Sequence, residues 1–565
     1  MSLRWGLFAV VSLVNGLLLW HFHDRYWYPT DDGFYANIAE RFLNGEVLNR
    51  DLQDIHPGYI HVLHAVAFRL FGVDMVSLRY PLMLAALAQA CVIYALLARR
   101  DVLTAAIASV AGTALGVIQF VNPTPNWYCL ALCVALAWWL VRLPAGHPAR
   151  LFGAGLLLGV LTLFRHLSGL WVAMGVLSVV MLEQRGNGQG RDRLLARAVV
   201  GLMLLILVTY VVVNPETEPG GVLLMSVWPM AMLVWLLVKV QANNAAVRKS
   251  LAPLAAGGLV ATLPLVLYHV ANGSLAPWVT DNVFVAVGET QLDFFGRGWY
   301  GVLPLAALYQ AVTSFHPVRV VNGIYWVLLP VLSALNGALI LRRLRARDDP
   351  RSLILPILAS FYTLTSLLFE GPLYLYYSAG LSLTSVLWLA AAGRKWNRLA
   401  WTAVAAGLSV VAVVFHAGQS RFRTPMEVLQ GKRLSNTWAL GASDLDRCRL
   451  RLDEADRRVY GQIVQVIQSE SASTDSILAL PNDAELYFLA RRRSLVRFYN
   501  SGLGIQTTTE LQQVMAELTA RPPRIVTFRP DDKYVTEASR HIMEFVRSRY
   551  DPIATIDGLE IHRLR

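Results

Sequence analysis

Long apolar runs dominate this chain, and the short loops between them carry arginine and lysine at every second turn. Runs able to cross a hydrocarbon core of roughly 30 Å occur near 5–20, 76–98, 102–121, 127–143, 150–164, 167–183, 194–213, 221–240, 251–270, 322–341, 352–369, 373–393 and 399–417. That makes about thirteen spans. The basic loops are Arg99-Arg100, Arg185 to Arg197, Arg248-Lys249, Arg342 to Arg351 and Arg394 to Arg398. Positive charge beside a span marks its cytoplasmic end. The N-terminus is therefore expected in the cytoplasm, and an odd number of spans puts the C-terminus outside. The residues are 55% hydrophobic and only 16% charged, too little charge to cover a water-soluble protein of this length. The net charge of +12 resides in those loops, which excludes a nucleic-acid groove as its explanation. The four cysteines form no framework: Cys91, Cys129 and Cys133 lie in apolar runs and Cys448 stands alone. No small-residue cleavage site follows the first run, so it reads as a retained span.

Three outer segments interrupt the pattern. The first, about His21 to Asp74, carries two amphipathic helical patterns. Phe34, Tyr35, Ile38, Ala39, Phe42 and Leu43 form one apolar face, ending at Gly45. Pro57 suits a first helical position of the second pattern, whose stripe is Ile60, Leu63, Ala67, Phe68 and Phe71. Such helices lie along the interface instead of crossing it. The second segment, about Ala271 to Asn322, mixes Asp281, Glu289, Asp293, Arg297 and His316 with Trp278, Phe294, Phe295, Trp299 and Tyr300. Its stretch Val302 to Phe315 is short for a span and suits a re-entrant piece. The third is the tail from about Gly418, where composition turns ordinary. Short strands are expected at 476–480 and 524–528, with helices at 454–469, 483–490, 508–520 and 535–549. The chain thus divides into a membrane domain, 1–417, and an outer α/β domain, 418–565.

Chemistry-bearing residues collect at the outer ends. Asp31 and Asp32 follow Pro29-Thr30 and open the first interfacial helix. One acidic residue there satisfies the exposed N–H groups and the macrodipole; two exceed that need, and a helix start favours the ionised form that a general base requires. Asp54-Ile-His56-Pro57 brings a further carboxylate and an imidazole to the start of the next helix, as a phosphate site or as a neutral cap. His61 and His64, nearly one turn apart, suit either polar contacts or a metal shared with an Asp. Arg165-His166 breaks apolar sequence at an outer end. Arg165 there either snorkels to headgroups or grips a lipid phosphate with its planar fork. Tyr374, Tyr376 and Tyr377, after Glu370-Gly-Pro372, suit an interfacial belt as well as substrate contact. No Gly-rich phosphate loop is present.

Asp31-Asp32-Gly33-Phe34-Tyr35-Ala36 after a first span, with Ile55-His56-Pro57-Gly58-Tyr59 before a second outer helix, resembles the GT-C glycosyltransferases. The nearest branches are the protein O-mannosyltransferase-like and lipid A aminoarabinose transferase-like enzymes. The likeness is specific over 1–100, topological to about 417 and generic in the tail. It implies an inverting hexosyl- or pentosyltransferase of the bacterial inner membrane, with its C-terminal domain in the periplasm. The donor would be a polyprenyl-phosphate-linked sugar and the acceptor a glycan, lipid or protein of the cell envelope. By the resemblance, Asp31 is the base or orients the acceptor, and Asp32 supports acceptor or metal binding. His56 lies near the carrier phosphate, and Arg165 corresponds to a basic residue after the fifth span. Tyr35, Asp54, His166, Tyr376 and Tyr377 complete the expected substrate contacts. No nucleotide is needed outside the cell, and a divalent metal is compatible with the acidic pair. Two departures are Asp32 where Glu is usual and Gly58 where a second Pro is usual. A transporter or flippase would put ionisable groups mid-span in inverted halves. A polysaccharide polymerase or ligase would rely on basic residues in a late loop, and a scaffold would leave the acidic pair unused.

Overall fold

The computed structural model describes residues 3–184, 190–214, 218–289, 299–314, 316–367, 369, 371–417 and 440–565. Arg185, Asp293, Phe294, Phe295, Arg297, Phe315, Glu370 and Gly418 lie outside the described residues.

Helices cover most of every expected apolar run among the described residues. Among the described residues, ten helices are long and apolar enough to cross a membrane, three fewer than the runs suggested. The shortfall is at 127–143, 150–164 and 352–369. Helix Pro125–Arg142 is diluted by its polar and tryptophan residues, and Pro148–Phe164 is just 17 residues long. Helix Ile354–Tyr362 has nine residues between two 3-10 turns. All nine are buried, so protein surrounds this segment and lipid thickness does not set its length.

The basic loops share one end of the bundle. Arg100 donates to the carbonyl of Trp388 at 2.7 Å and stacks on its ring, and Arg351 donates to Val141 at 2.7 and 3.0 Å. The N-terminus is there too, with Tyr94 donating to the Arg4 carbonyl. The outer segments and the tail gather at the opposite end.

At that end α1 (Leu3–Phe22) leads into α2 (Pro29–Leu43), and α3 (Tyr59–Phe71) follows. Pro29 is the first residue of α2, which puts both aspartates in its first turn. The expectation for α3 needs correction: it begins at Tyr59, after Pro57. Gly58 ahead of it has φ +134°, which proline cannot adopt and most side chains avoid. Its buried face includes His61 and His64, whereas Phe71 is exposed. The segment from Val302 continues as helix Trp299–Thr313, which folds back along Pro317–Arg345.

The tail forms a five-stranded sheet in the order β4 (Arg493–Ser494), β3 (Ser476–Leu480), β5 (Ile525–Phe528), β7 (Leu559–Leu564), β6 (Tyr550–Ile556). A two-residue ladder, β1 (Gly441–Ala442) with β2 (Arg451–Leu452), precedes it. The helices fall at Glu454–Glu470, Glu485–Ala490, Thr508–Ala520 and Glu537–Arg549, within two residues of expectation. The β6–β7 hairpin was not anticipated, although Asp557-Gly558 signals it; both residues have positive φ.

The tail docks directly on the outer helices, and one buried apolar cluster runs through both. Gly33 faces Glu485 so closely that a Cβ there would lie 2.2 Å from the Glu485 Cβ. Phe34 stacks on Tyr499 at 3.8 Å, and Phe68 stacks on Phe488.

Candidate active site

Where the outer ends meet the tail there is a cavity of about 710 Å³. Its walls come from widely separated segments. α2 supplies Asp31, Phe34 and Tyr35, and the loop before α3 supplies His56. Thr124 and Asn126 come from a proline-bounded connection, and Arg165 and His166 from the junction of two helices. Leu205, Ile206 and Val213 give an apolar flank, while Asn482, Asn500 and Tyr534 of the tail give a polar one.

Asp31 faces this space while held from behind: Asn122 Nδ2 donates to its Oδ2 at 2.8 Å. Burial, then the charge of Asp32, raises its carboxyl to about 6, against the opposing pull of Asn122, Lys533 and His56. A carboxylate so placed still ionises at neutral pH and accepts a proton more readily than a free one. Lys533 of the tail lies within charge range; burial lowers its ammonium while Asp532 and Asp31 pull it upward.

Asp32 does not line the cavity. Its side chain is fully buried against that of Arg79, whose Nη2 reaches both carboxylate oxygens at 2.9 and 3.1 Å. The Tyr28 backbone N–H donates to it at 2.7 Å. Burial raises the Asp32 carboxyl, with Arg79 opposing. The pair braces the start of α2, as Arg79 also donates to the carbonyls of His23 and Arg25.

Arg165 has extended backbone, ending one helix and preceding the next. Its side chain is mostly buried, and Nη1 donates to Asn126 Oδ1. His166 lines the cavity beside it. Asp54 lies behind His56, bonded to the rings of His56 and His61.

Of the expected tyrosines, Tyr374 and Tyr377 meet edge to face at 5.3 Å. Tyr374 lines the cavity, whereas Tyr376 and Tyr377 do not. Tyr376 meets Tyr325, hydroxyl to hydroxyl, at 3.1 Å, and Tyr377 packs on Trp127. Tyr374 and Tyr377, three residues apart, share one helix face, while Tyr376 points to another. Among the described residues no group of three or more His, Cys, Asp or Glu is arranged to hold a metal ion.

Sequence reasoning missed Asn122 and Asn126, although polar residues flanking Pro123 and Pro125 at an outer turn were a visible signal. It also missed Asn482, Asn500, Lys533 and Tyr534, which carried no local signal.

No family model matches the sequence, and no curated protein matches it. Among solved structures the chain is similar to ArnT from Cupriavidus metallidurans in the apo state, at 16% identity and a TM-score of 0.41, covering 98% of this chain and 97% of that one.

Proposed function

We propose that this protein is a glycosyltransferase that takes a sugar from a polyprenyl-phosphate carrier and passes it, with inversion, to an acceptor on the outer face of a bacterial inner membrane. One observation carries the reading: the carboxylate of Asp31 and the guanidinium of Arg165 line one cavity at the outer end of the bundle. The apolar flank of Leu205, Ile206 and Val213 suits a lipid tail. The amides of Asn482 and Asn500 suit a hydroxylated glycan, lipid or protein acceptor.

The chemistry follows from the groups. A phosphate monoester is already a good leaving group, so the main task is to stabilise charge developing on it. Arg165, with His56 and His166 nearby, supplies that stabilisation. The acceptor hydroxyl must be aligned opposite the phosphate and lose its proton. Asp31 takes that proton, and Asp32 acts by holding the helix start on Arg79. Tyr35 and Tyr374 border the sugar.

Purified full-length protein in vesicles, supplied with undecaprenyl-phosphate-linked sugars and an envelope lipid extract, is expected to form glycosylated product. Asp31→Asn should abolish that product while donor binding persists. Turnover by D31N close to that of the unsubstituted protein would reject the assignment. Mass spectrometry of envelope glycans and lipids in a deletion strain then identifies the acceptor, as the species that loses one sugar.

A further inference from the structure

Among the described residues, five that line the cavity are also exposed at the protein surface: Leu205, Thr209, Val213, Val283 and Val287. Four of these are apolar, and none of the tail residues in the lining is exposed. The first three lie on helix Leu194–Val213, which is long and apolar enough to cross a membrane. The other two lie on the π-helical turn Thr280–Val285 and the short helix Ala286–Glu289 that continues it. The cavity therefore opens sideways between these elements, toward the bilayer. The second lip is anchored from behind. Asp281 is buried and stays out of the lining. Arg497 of the tail donates to its two carboxylate oxygens at 2.6 and 2.8 Å, and Asn49 donates to one of them at 3.0 Å. Arg497 also donates to the Asn49 carbonyl at 3.1 Å, and its own carbonyl accepts from the Gln53 backbone N–H at 2.8 Å. Asn49 in turn donates to the Asp54 carbonyl at 2.8 Å. This knot ties three stretches, each entering the cavity wall within three residues. Asn282 and Val283 follow Asp281, Tyr499 and Asn500 follow Arg497, and Ile55 and His56 follow Asp54.

We infer that Asp281 and Arg497 are positioning residues: their ion pair fixes the lip at 280–287 and so sets the fit of the donor's prenyl chain in this side opening. The inference rests on the transferase reading and deepens it. The sugar and phosphate stay inside, against the polar wall. The chain leaves between Val283 and Val287 on one side and Leu205 and Val213 on the other. Neither Asp281 nor Arg497 touches a reacting atom. A buried carboxylate is held in place only by partners that replace its water, and here those partners come from the tail and the loop before α3. Removing one frees the lip. Contact with the chain then suffers, whereas alignment at the anomeric carbon does not, because Asp31 and Arg165 stand on other elements.

The test measures binding of two prenyl monophosphates, long undecaprenyl phosphate and short citronellyl phosphate, to the full chain in lipid nanodiscs. Asp281→Asn and Arg497→Gln should each weaken undecaprenyl phosphate about tenfold, the effect of losing contact with roughly two methylene groups, and leave citronellyl phosphate within about twofold. The double variant should lose no more than D281N, because the two side chains act as one unit. Losses that multiply overturn the pair. Equal losses for both probes give it a merely structural role and overturn the inference, as does an undiminished affinity for the long chain. The Arg497 side chain is 41% exposed, so R497Q carries the test should D281N fail to fold. Spin labels at Phe284→Cys and Gln513→Cys, both exposed positions, report the lip without any ligand on a Cys91→Ser background. Their distance distribution should broaden in R497Q, and an unchanged distribution overturns the anchor. Wild-type protein that binds neither probe overturns the transferase reading itself, so the two failures are distinguishable.

Discussion

Asp31 and Asp32 are neighbours of one residue type on one helix, both with carboxyls raised by burial, yet their partners differ. Successive residues on a helix point about 100° apart, so Asp31 borders the cavity while Asp32 enters the protein. Asp32 meets a guanidinium and a backbone N–H. Asp31 meets an amide and the charge of its neighbour, and holds its proton to about 6. The buried aspartate is tied to fixed partners away from the cavity. The cavity aspartate faces open space. Sequence adjacency therefore says little about shared function when the helical turn separates two environments.

That contrast can be broken by experiment. The largest expected effect is on chemistry: D31N should lower transfer by about 10²–10⁴-fold, the usual contribution of a general base. Its stability should move the other way. A carboxyl whose folded value is raised stabilises the protein fully below its unfolded value near 4, and that contribution is lost as pH rises through about 6. At neutral pH a neutral amide should then raise stability by up to about 3 kcal/mol, seen as a higher melting midpoint. A lower midpoint would remove the electrostatic account of Asp31.

Asp32 should behave in the opposite sense. Asp32→Asn strands a buried guanidinium, and breaking such a pair costs about 3–5 kcal/mol, read from thermal denaturation in detergent. Replacing both partners, Asp32→Leu with Arg79→Met, should recover most of that loss. A single variant as stable as wild type would show that the pair braces nothing.

Arg165→Ala should raise the apparent KM for the lipid donor about tenfold, consistent with loss of a charged hydrogen bond, while leaving folding intact. An unchanged KM would detach Arg165 from the donor. The mildest perturbation is pH itself. Activity should fall as pH drops through about 6, where Asp31 takes up its proton, and this limb should be absent from any residual D31N activity. A limb near 4 would mean that Asp31 titrates as an ordinary exposed carboxylate.

Legibility followed the same division between local rule and long-range packing. α2 was readable because its apolar spacing and its acidic start obey rules that reach only one turn. The tail helices followed from their caps and periodicity, as at Thr507, whose capping box closes on Glu510. His61 and His64 read as polar contacts or metal ligands, but their partners were not legible, because Asp54 and Tyr35 arrive from elsewhere. Tyr374, Tyr376 and Tyr377 were grouped by adjacency, and the helix kept Tyr377 on Tyr374 while turning Tyr376 toward Tyr325.

The amino-acid sequence by itself determined that the chain threads a membrane, which loops lie at its basic end, and that acidic and basic groups wait at the other. Lipid admits only self-satisfied, apolar helices, and that demand is written residue by residue. Only the tertiary structure decided that Asp31 shares a cavity with Arg165 while Asp32 does not, and that Asn482, Asn500 and Tyr534 of the tail close it. Those meetings join residues hundreds of positions apart, and they are set by how faces pack, which no local pattern encodes.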